Sequence, residues 1–249
     1  MKISIITATC NSEKTIIDTI KSINAQDYSN IEHIVIDGCS SDQTVDLIYK
    51  YDKRLTTLIS EKDAGIYDAL NKGISLATGE VIGFLHSDDE YANDQVLSMI
   101  AQKFSCKSID AIYGDLNYVS KLDTTRIIRR WIGGDYNIKK FKNGWMPAHP
   151  TFYARRKHYD SKRNFNLNFK ISADYDLMLR LLWKKKIKAC YIPEVLVKMR
   201  VGGKSNRSLK NIFKKSIEDK AIMISNGINP ARGLLLKNLS KIKQFFNLY

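Results

Sequence analysis

The chain has 249 residues, of which 44% are hydrophobic and 27% charged, a composition typical of a globular protein. The length suits one large domain, or one domain with an appendage. The formal net charge of +14 predicts an anionic partner, such as a nucleic acid, a phosphorylated metabolite or a membrane surface. The sequence excludes a membrane-spanning protein, because no window approaches the ~20 apolar residues that a spanning helix needs.

The four cysteines and the start of the chain predict a cytoplasmic protein. The cysteines are scattered and lack the paired spacing of a zinc site or a disulfide framework. The apolar run after Met1 is too short for a signal peptide. We therefore expect free thiols in a reducing compartment.

In chain order, the first half alternates strands and helices. Apolar, β-rich runs predict strands over 3–9, 32–36, 55–59, 80–85 and 110–113. Helical spacing predicts four helices. The inward face of the first is formed by Ile16, Ile17, Ile20 and Ile23, and that of the second by Val45, Ile48 and Tyr51. The third, over 65–77, has Ile66, Ala69, Leu70, Ile74 and Ala77 on its inward face, and the fourth, over 92–104, has Val96, Leu97, Ile100 and Phe104. This alternation predicts an α/β fold with a mostly parallel central sheet and helices on both faces.

After about residue 114 the pattern changes. Short antiparallel strands are predicted over 115–119 and 125–131, an irregular aromatic region over 135–150, a strand over 151–154, a helix over 174–184 and β-structure over 191–199. From residue 205 the chain is basic and broadly helical, with Gly227 and Pro230 separating two pieces. We expect a domain over 1–204, divided into halves at 1–114 and 115–204, and a basic helical extension over 205–249, hereafter the basic tail.

Polar residues fall repeatedly where the predicted parallel strands end. They are Thr7 to Asn11, Asp37, Asp63, and the pair Asp88 and Asp89. The carboxyl ends of parallel strands share one edge of a sheet, where ligands bind in α/β proteins. Neither a Gly-x-Gly-x-x-Gly fingerprint nor a phosphate-binding P-loop is present, which counts against an ordinary dinucleotide or ATP site.

Asp88 and Asp89 follow the apolar run from Val81 to Leu85. An acidic pair after a strand is commonly a helix cap or a solvated turn. The alternative is a site for Mg²⁺ or Mn²⁺, because carboxylates are hard oxygen ligands that hold these ions against a diphosphate. The polar residues at the other strand ends favour the metal site.

Two further candidates lie in the second half. Asp174 lies at the start of an apolar helix. It either stabilises the helix dipole, which favours an acid at this end, or it acts as a general base. Asp176 shares the dipole role and is either a cap or a partner. His149 lies in an aromatic loop with Trp145, as a structural residue or as a contact to phosphate or to an acceptor sugar.

Six segments in order resemble family 2 glycosyltransferases of the GT-A fold, of the type that builds bacterial surface polysaccharides such as O-antigen or capsule. They are Ile3 to Asn11, Asp37-Gly-Cys-Ser-Ser-Asp-Gln-Thr44, Ser60 to Gly73, Ser87-Asp88-Asp89, Ile171-Ser-Ala-Asp-Tyr-Asp-Leu177 and Val201-Gly-Gly-Lys-Ser205. The resemblance runs over roughly residues 1–205. It implies a nucleotide-sugar-binding first half and an acceptor-binding second half.

The resemblance also implies site residues. Donor contacts map to Thr7, Ala8, Asn11, Asp37, Asp63 and Asp88. The ligands of Mn²⁺ or Mg²⁺ map to Asp89, which is preferred, and to Asp88. The catalytic base maps to Asp174, and the acceptor or diphosphate contacts map to His149, Trp145 and Arg155. The implied reaction is an inverting transfer from a nucleotide-diphosphate sugar, with UDP the expected nucleotide. Ser87 stands where the family's acidic motif begins with Asp, and Ala173 stands where Glu is frequent. These departures leave open a catalytically inactive nucleotide-sugar binder.

The positive charge concentrates near the carboxyl terminus. From Arg200 to Tyr249 there are eleven lysines and arginines against two acidic residues, interleaved with leucine, isoleucine and phenylalanine. This pattern predicts a helix on an anionic membrane surface, expected to be the cytoplasmic face of the inner membrane. Such a helix would suit the polyprenyl-diphosphate-linked glycan acceptor that the family resemblance implies. Basic residues of 139–142 and 155–157 are expected to help hold the acceptor diphosphate. The alternatives are a solvated basic face with a core-packing stripe, and a nucleic-acid-binding module, which lacks any recognisable motif.

Overall fold

The computed structural model describes residues 1–160, 164–202, 209–231 and 233–237. Within these residues the strands are β1 (Ile3–Thr9), β2 (Ile31–Asp37), β3 (Leu55–Ser60), β4 (Val81–Phe84), β5 (Asp89–Tyr91), β6 (Ala111–Val119), β7 (Ile127–Trp131), β8 (Tyr153–Arg155) and β9 (Ala189–Arg200). The α-helices are α1 (Ile16–Asn24), α2 (Thr44–Tyr51), α3 (Ile66–Leu76), α4 (Val96–Phe104), α5 (Ala173–Met178) and α6 (Leu209–Ser225). A π-helical stretch, Leu179–Lys184, continues α5.

One sheet contains all of these strands, in the order β3-β2-β1-β4-β8-β6-β9-β5, with β7 added beside β6. Strands β1 to β4 pair in parallel. The second part is mixed: β8 is antiparallel to β4 and β6, whereas β9 is parallel to β6 and antiparallel to β5. The predicted α/β architecture is confirmed, with the parallel pairing concentrated in the first half.

Helices cover both faces of the sheet because alternate residues of each strand point to opposite sides. In β1, Ile6 and Ala8 pack with α3 in one apolar cluster, whereas Ile3 and Ile5 pack with α4 in a second cluster. Helix α3 approaches β1 closely, since a Cβ on Gly73 would lie 2.4 Å from Cγ2 of Ile6. This packing fixes the carboxyl ends of the parallel strands relative to one another.

Two predicted inward side chains face solvent instead. Tyr51 is 39% exposed and Ile66 is 43% exposed. Tyr51 is the last residue of α2 and Ile66 the first of α3, so each lies at a helix end rather than above the sheet. The other predicted contacts of α3, at Ala69, Leu70, Ile74 and Ala77, are buried.

The strands predicted at 110–113 and 115–119 are one continuous strand, β6. The interruption in the sequence pattern is Gly114, where a Cβ would lie 2.5 Å from Cγ of Leu196. Glycine therefore allows β9 to pack against β6 at that point. The boundary between halves expected at residue 114 lies inside β6 and stays a prediction. Helix α4 begins at Val96, later than predicted, because β5 and a short loop precede it.

The described part of the basic tail packs against the body of the protein. Ile222, Met223 and Ile228 are buried in the same apolar cluster as α3 and α5. A further helical segment occupies 230–231 and 233–237. The opposite side of α6 carries exposed apolar residues, Phe213, Ile217 and Ile224. The aromatic end of the predicted tail, 238–249, lies outside the described residues, and among those that are described no helix is long and apolar enough to cross a membrane.

Candidate active site

The loops that follow the parallel strands meet at one edge of the sheet and bond to one another. The hydroxyls of Ser12, after β1, and Ser87, after β4, lie 2.9 Å apart. Asn11 accepts a hydrogen bond from the Ser41 backbone at 2.9 Å, which joins the β1 loop to the β2 loop. Asn11 has a positive φ of 50°, a conformation that asparagine tolerates better than most residues. These loops form a shared rim, defined by residues 10–12, 38–41, 63 and 86–88.

Asp37 supports this rim from below. Its carboxylate is fully buried and accepts hydrogen bonds from the Ser40 backbone at 2.9 Å, from the Ser40 hydroxyl and from the Ser60 hydroxyl at 2.6 Å. The oxygens expected to contact a base or ribose are therefore engaged within the protein. In this structure the Asp37 carboxylate fixes the shape of the loop after β2 and is not exposed at the rim.

Asp63 is partly exposed and lies beside the β2 loop. One of its oxygens accepts a hydrogen bond from the Gly65 backbone at 2.8 Å. The other lies 2.8 Å from the position that a Cβ on Gly38 would occupy. The chain thus needs glycine at residue 38 so that the Asp63 carboxylate can approach the rim.

The predicted donor contacts therefore divide into two groups. Asn11, Asp63 and Asp88 reach the rim, and they remain candidates for donor binding. The side chains of Thr7 and Ala8 are buried in β1. The Thr7 hydroxyl donates to the Leu85 carbonyl at 2.7 Å and lies 2.9 Å from Nε2 of His33, so it serves the core.

Asp88 and Asp89, adjacent in sequence, have opposite environments. Asp88 is partly exposed at the rim, whereas Asp89 begins β5 and is 1% exposed. Burial, together with the neighbouring Asp88 charge, raises the pKa of Asp89 well above its usual range. The preference for Asp89 as metal ligand stays a prediction, although in this structure its carboxyl group is buried away from the rim. The accessible carboxylate is that of Asp88.

A divalent cation fits this rim only if the diphosphate of a bound donor supplies some of its oxygen ligands. Among the described residues no cluster of three or more His, Cys, Asp or Glu side chains is arranged to hold a metal. Mg²⁺ and similar ions commonly bind through one or two carboxylates plus substrate phosphates. Asp88 supplies one such carboxylate next to the rim, and a diphosphate would supply the remaining oxygens.

Asp174 projects from the first turn of α5 and is held at both carboxylate oxygens. Oδ2 lies 3.2 Å from Nδ1 of His149, and Oδ1 accepts a hydrogen bond from the Tyr67 hydroxyl at 3.3 Å. The Asp174 side chain remains 18% exposed. Burial and the Asp174 charge raise the pKa of Tyr67 well above its usual range, so its hydroxyl keeps its proton and donates. Asp174 is thus oriented yet accessible.

His149 connects Asp174 to the rim through a second histidine, His86. The centroids of the two imidazole rings lie 5.7 Å apart. Burial lowers the pKa of His149 to about 4 despite the Asp174 charge, and burial also lowers the pKa of His86. Both rings are neutral at pH 7. His149 stays a predicted acceptor or diphosphate contact, whereas His86, which directly precedes Ser87, was not among the predicted residues.

Of the other predicted acceptor or diphosphate contacts, Trp145 stays a prediction, whereas Arg155 lies away from the rim. Trp145 packs edge-on against Tyr113 and donates from Nε1 to the Gly133 carbonyl at 3.2 Å. Arg155 pairs with Val81 at the amino end of β4, the opposite sheet edge, and donates to the carbonyls of Ile109 and Phe104 at 2.8 and 2.9 Å. The expectation for Arg155 is wrong, because its guanidinium caps backbone carbonyls far from the rim.

The neighbouring basic residues of 155–157 share that location. Arg156 donates to the Gly79 carbonyl at 3.0 Å, and Lys157 pairs with Asp110 at 2.9 Å. Asp176, left open between cap and partner, pairs with Arg180 at 2.8 Å and is 5% exposed. Of the two acids in α5, Asp174 is the more exposed and is the one that contacts His149.

The chain is similar to known glycosyltransferases. The family model described as glycosyl transferase family 2 matches residues 4–173. An uncharacterised glycosyltransferase of Mycobacterium tuberculosis, MT1564, is 31% identical over 185 residues, covering 72% of this chain and 68% of the relative. A PGL/p-HBAD biosynthesis glycosyltransferase of Mycobacterium bovis is 27% identical over 219 residues, covering 86% of this chain and 83% of the relative.

Two solved structures share the fold. The S. aureus TarS fragment 1–349, in complex with UDP, superposes with a TM-score of 0.67 at 19% identity, covering 99% of this chain and 71% of that one. The mannosyltransferase PcManGT from Pyrobaculum calidifontis, in complex with GDP-Man and Mn²⁺, gives a TM-score of 0.67 at 18% identity, covering 94% and 68%. At these identities the likeness concerns the fold, and it places the sheet edge described above in a GT-A architecture.

Proposed function

The chain belongs to glycosyltransferase family 2, and from that premise we propose an inverting transfer of a sugar from a nucleotide-diphosphate donor to a hydroxyl of a glycan acceptor. The observation that carries this proposal is the position of Asp174. It is a partly exposed carboxylate held by Tyr67 and His149, and His149 in turn lies against the loop that ends in Asp88. A base therefore stands next to the edge where the donor diphosphate would bind.

In the proposed reaction Asp174 accepts the proton of the acceptor hydroxyl. The acceptor oxygen forms a bond to the anomeric carbon of the donor sugar while the bond from that carbon to the diphosphate oxygen breaks. The nucleotide diphosphate leaves with the bonding electron pair. A single displacement inverts the anomeric configuration, and it requires one base and no enzyme nucleophile.

The described residues at the rim suit separate roles in binding the nucleotide and in holding the cation. Asn11 and Asp63 lie on the rim formed by the ends of β1 to β3, where the nucleotide would bind. Asp88 would hold a divalent cation together with the diphosphate. When bound, such a cation neutralises the charge that develops on the leaving phosphate.

We further propose a UDP-sugar as donor and a polyprenyl-diphosphate-linked glycan as acceptor, in bacterial surface polysaccharide synthesis. The UDP complex of TarS, which shares the fold, supports the nucleotide. The exposed apolar residues of α6, with lysines beside them, support an encounter with lipid at the cytoplasmic face of the inner membrane. A membrane surface would bring the enzyme to a lipid-linked acceptor.

The proposal is tested by a thermal-shift screen of UDP-, GDP- and dTDP-sugars with and without Mn²⁺, followed by transfer assays on lipid-linked glycans. We expect stabilisation by UDP-sugars that is larger with Mn²⁺, and transfer that produces the inverted linkage. Binding without transfer to any acceptor would instead identify a nucleotide-sugar binder. Retention of the donor's anomeric configuration in the product would exclude the single displacement.

A further inference from the structure

We propose that Glu218 of α6 is a positioning residue for Asp174, which makes the carboxyl-terminal helices part of the catalytic unit. This inference rests on the proposed role of Asp174 as base. Glu218 belongs to the stretch that the sequence presents as a basic tail, and it is one of only two acidic residues after Arg200. Its side chain is directed into the protein, since the residue is 7% exposed.

The Glu218 carboxylate accepts three hydrogen bonds from consecutive backbone N–H groups. Its oxygens lie 3.0 Å from the amide nitrogen of Lys170, 2.9 Å from that of Ile171 and 2.9 Å from that of Ser172. Hydrogen bonds to a charged acceptor are about twice as strong as those between neutral groups. The segment 170–172 leads directly into α5, and Asp174 is the second residue of that helix.

The same segment is held from its other side by Tyr67. The single proton of the Tyr67 hydroxyl is shared between the Ile171 carbonyl, at 2.7 Å, and Oδ1 of Asp174, at 3.3 Å. Ile171 therefore has its N–H bonded to Glu218 and its carbonyl bonded to Tyr67. Moving this peptide would move both the base and a hydrogen bond that orients the base.

The residue after the base is held by the same part of the chain. Nζ of Lys237 lies 3.4 Å from the centroid of the Tyr175 ring and 2.9 Å from Oδ2 of Asp219. Glu218 and Asp219, adjacent in α6, thus act on both sides of Asp174. The contact to the backbone is made by Glu218, whereas Asp219 acts through Lys237.

Helix α6 lies outside the part of the chain that the family model matches. The match to the glycosyltransferase family 2 model ends at residue 173, before Asp174 and α6. Removing the three hydrogen bonds would leave three N–H groups, of which that of Ser172 is buried, without their acceptor and release the segment. Because misplacing a reacting group by ~1 Å costs about 10²-fold in rate, a small shift of Asp174 would be measurable.

The test compares Glu218→Gln with Glu32→Gln in the full-length chain. Glu32 is a matched control, because it is also a buried glutamate with several hydrogen bonds, from Lys2, Ser4 and Thr78, but it lies at the amino end of β2. We expect Glu218→Gln to lower kcat by about 30- to 100-fold, in line with the cost of a misplaced base. Its affinity for UDP with Mn²⁺ should stay within about twofold of wild type, since the rim does not involve α6. Glu32→Gln should lower the melting temperature and leave kcat unchanged.

Hydrogen exchange at the amides of residues 170–172 supplies a readout that does not depend on turnover. We expect faster exchange there in Glu218→Gln and no change in Glu32→Gln. Equal exchange in wild type and Glu218→Gln, or a kcat that matches the control, would overturn the proposal. If Glu218→Gln does not fold, Glu218→Asp keeps the charge and should show an intermediate loss of kcat. A wild-type protein that transfers no sugar would refute the proposed function, whereas the exchange result would still decide whether Glu218 orders the segment.

Discussion

Oδ2 of Asp174 and Nδ1 of His149 lie 3.2 Å apart, which joins the first turn of α5 to the loop between β7 and β8. Burial lowers the pKa of His149 to about 4, so the imidazole is neutral at pH 7. An oriented and partly exposed carboxylate is what a general base requires.

Asp174→Asn should lower kcat by about 10³-fold, because general-base catalysis contributes roughly 10²- to 10⁴-fold. The affinity for UDP with Mn²⁺, measured by calorimetry, should change little. Asp176→Asn is the control, since Asp176 belongs to the same helix but pairs with Arg180 away from the cleft. Turnover by Asp174→Asn equal to that of the control would remove Asp174 from the reaction.

Asp88→Asn should weaken UDP binding in the presence of Mn²⁺ by at least about tenfold and remove the difference made by adding EDTA. Asp89→Asn should keep the Mn²⁺ effect, because that side chain is buried away from the rim. Titration of UDP with and without Mn²⁺ measures both. The reverse ranking of the two variants would identify Asp89 as the ligand.

Gly38→Ala should raise the Kd for UDP, by roughly tenfold or more, with little loss of stability. The new Cβ would lie 2.8 Å from Oδ2 of Asp63 and 3.3 Å from Cβ of Cys10, so the rim must open or Asp63 must move. Calorimetry gives the affinity, and a thermal melt of the same sample checks the fold. Wild-type affinity in the variant would show that Asp63 does not shape the nucleotide site.

Glu32 predicts a specific pH dependence of stability. Burial raises its pKa, but hydrogen bonds from Lys2, Ser4 and Thr78 outweigh burial and lower the pKa to about 2. A carboxyl group whose pKa is lower in the folded state stabilises above its unfolded pKa and loses that contribution as pH falls towards its folded pKa.

The difference in unfolding free energy between wild type and Glu32→Gln should therefore be constant above pH 5 and shrink between about pH 4.5 and 2. Urea unfolding at pH 7, 4 and 3 measures this difference. A gap that does not narrow in acid would mean that Glu32 stabilises the fold in its neutral form as well.

The exposed apolar side of α6 predicts selective binding to anionic vesicles. Phe213 is 70% and Ile217 54% exposed, while both acidic residues of the helix are buried. The double variant Phe213→Ser/Ile217→Ser should reduce sedimentation with phosphatidylglycerol vesicles severalfold at low salt. Leu122→Ser is the control, since Leu122 is 96% exposed in the loop between β6 and β7. Equal loss in both variants would point to general hydrophobicity rather than to α6.

The parallel half of the fold was predictable because its signals are local. Buried strands of β-branched residues alternate with helices whose apolar residues recur at helical spacing. Periodicity does not show where a helix ends relative to the sheet. Tyr51 and Ile66 were therefore predicted to face inward, although both lie at helix ends and are exposed. Gly114 concealed the continuity of β6, because a glycine chosen for close packing reads as a break in a strand.

The site was predictable to the level of segments and less so to the level of side chains. Asp88 and Asp89 are adjacent carboxylates, and only the backbone of β5 decides which of them faces the cleft. Glu218 has no local signal at all, since its partners lie more than forty residues earlier in the chain. The position of Arg155 could not be predicted without the sheet order, which places β8 beside the amino end of β4.

The continuity of β6 bears on how such an enzyme can change over evolution. It runs from Ala111 to Val119, across the boundary between halves expected at residue 114, and it pairs with β7, β8 and β9. The proposed acceptor-binding half therefore could not be replaced as one unit without cutting this strand of the sheet.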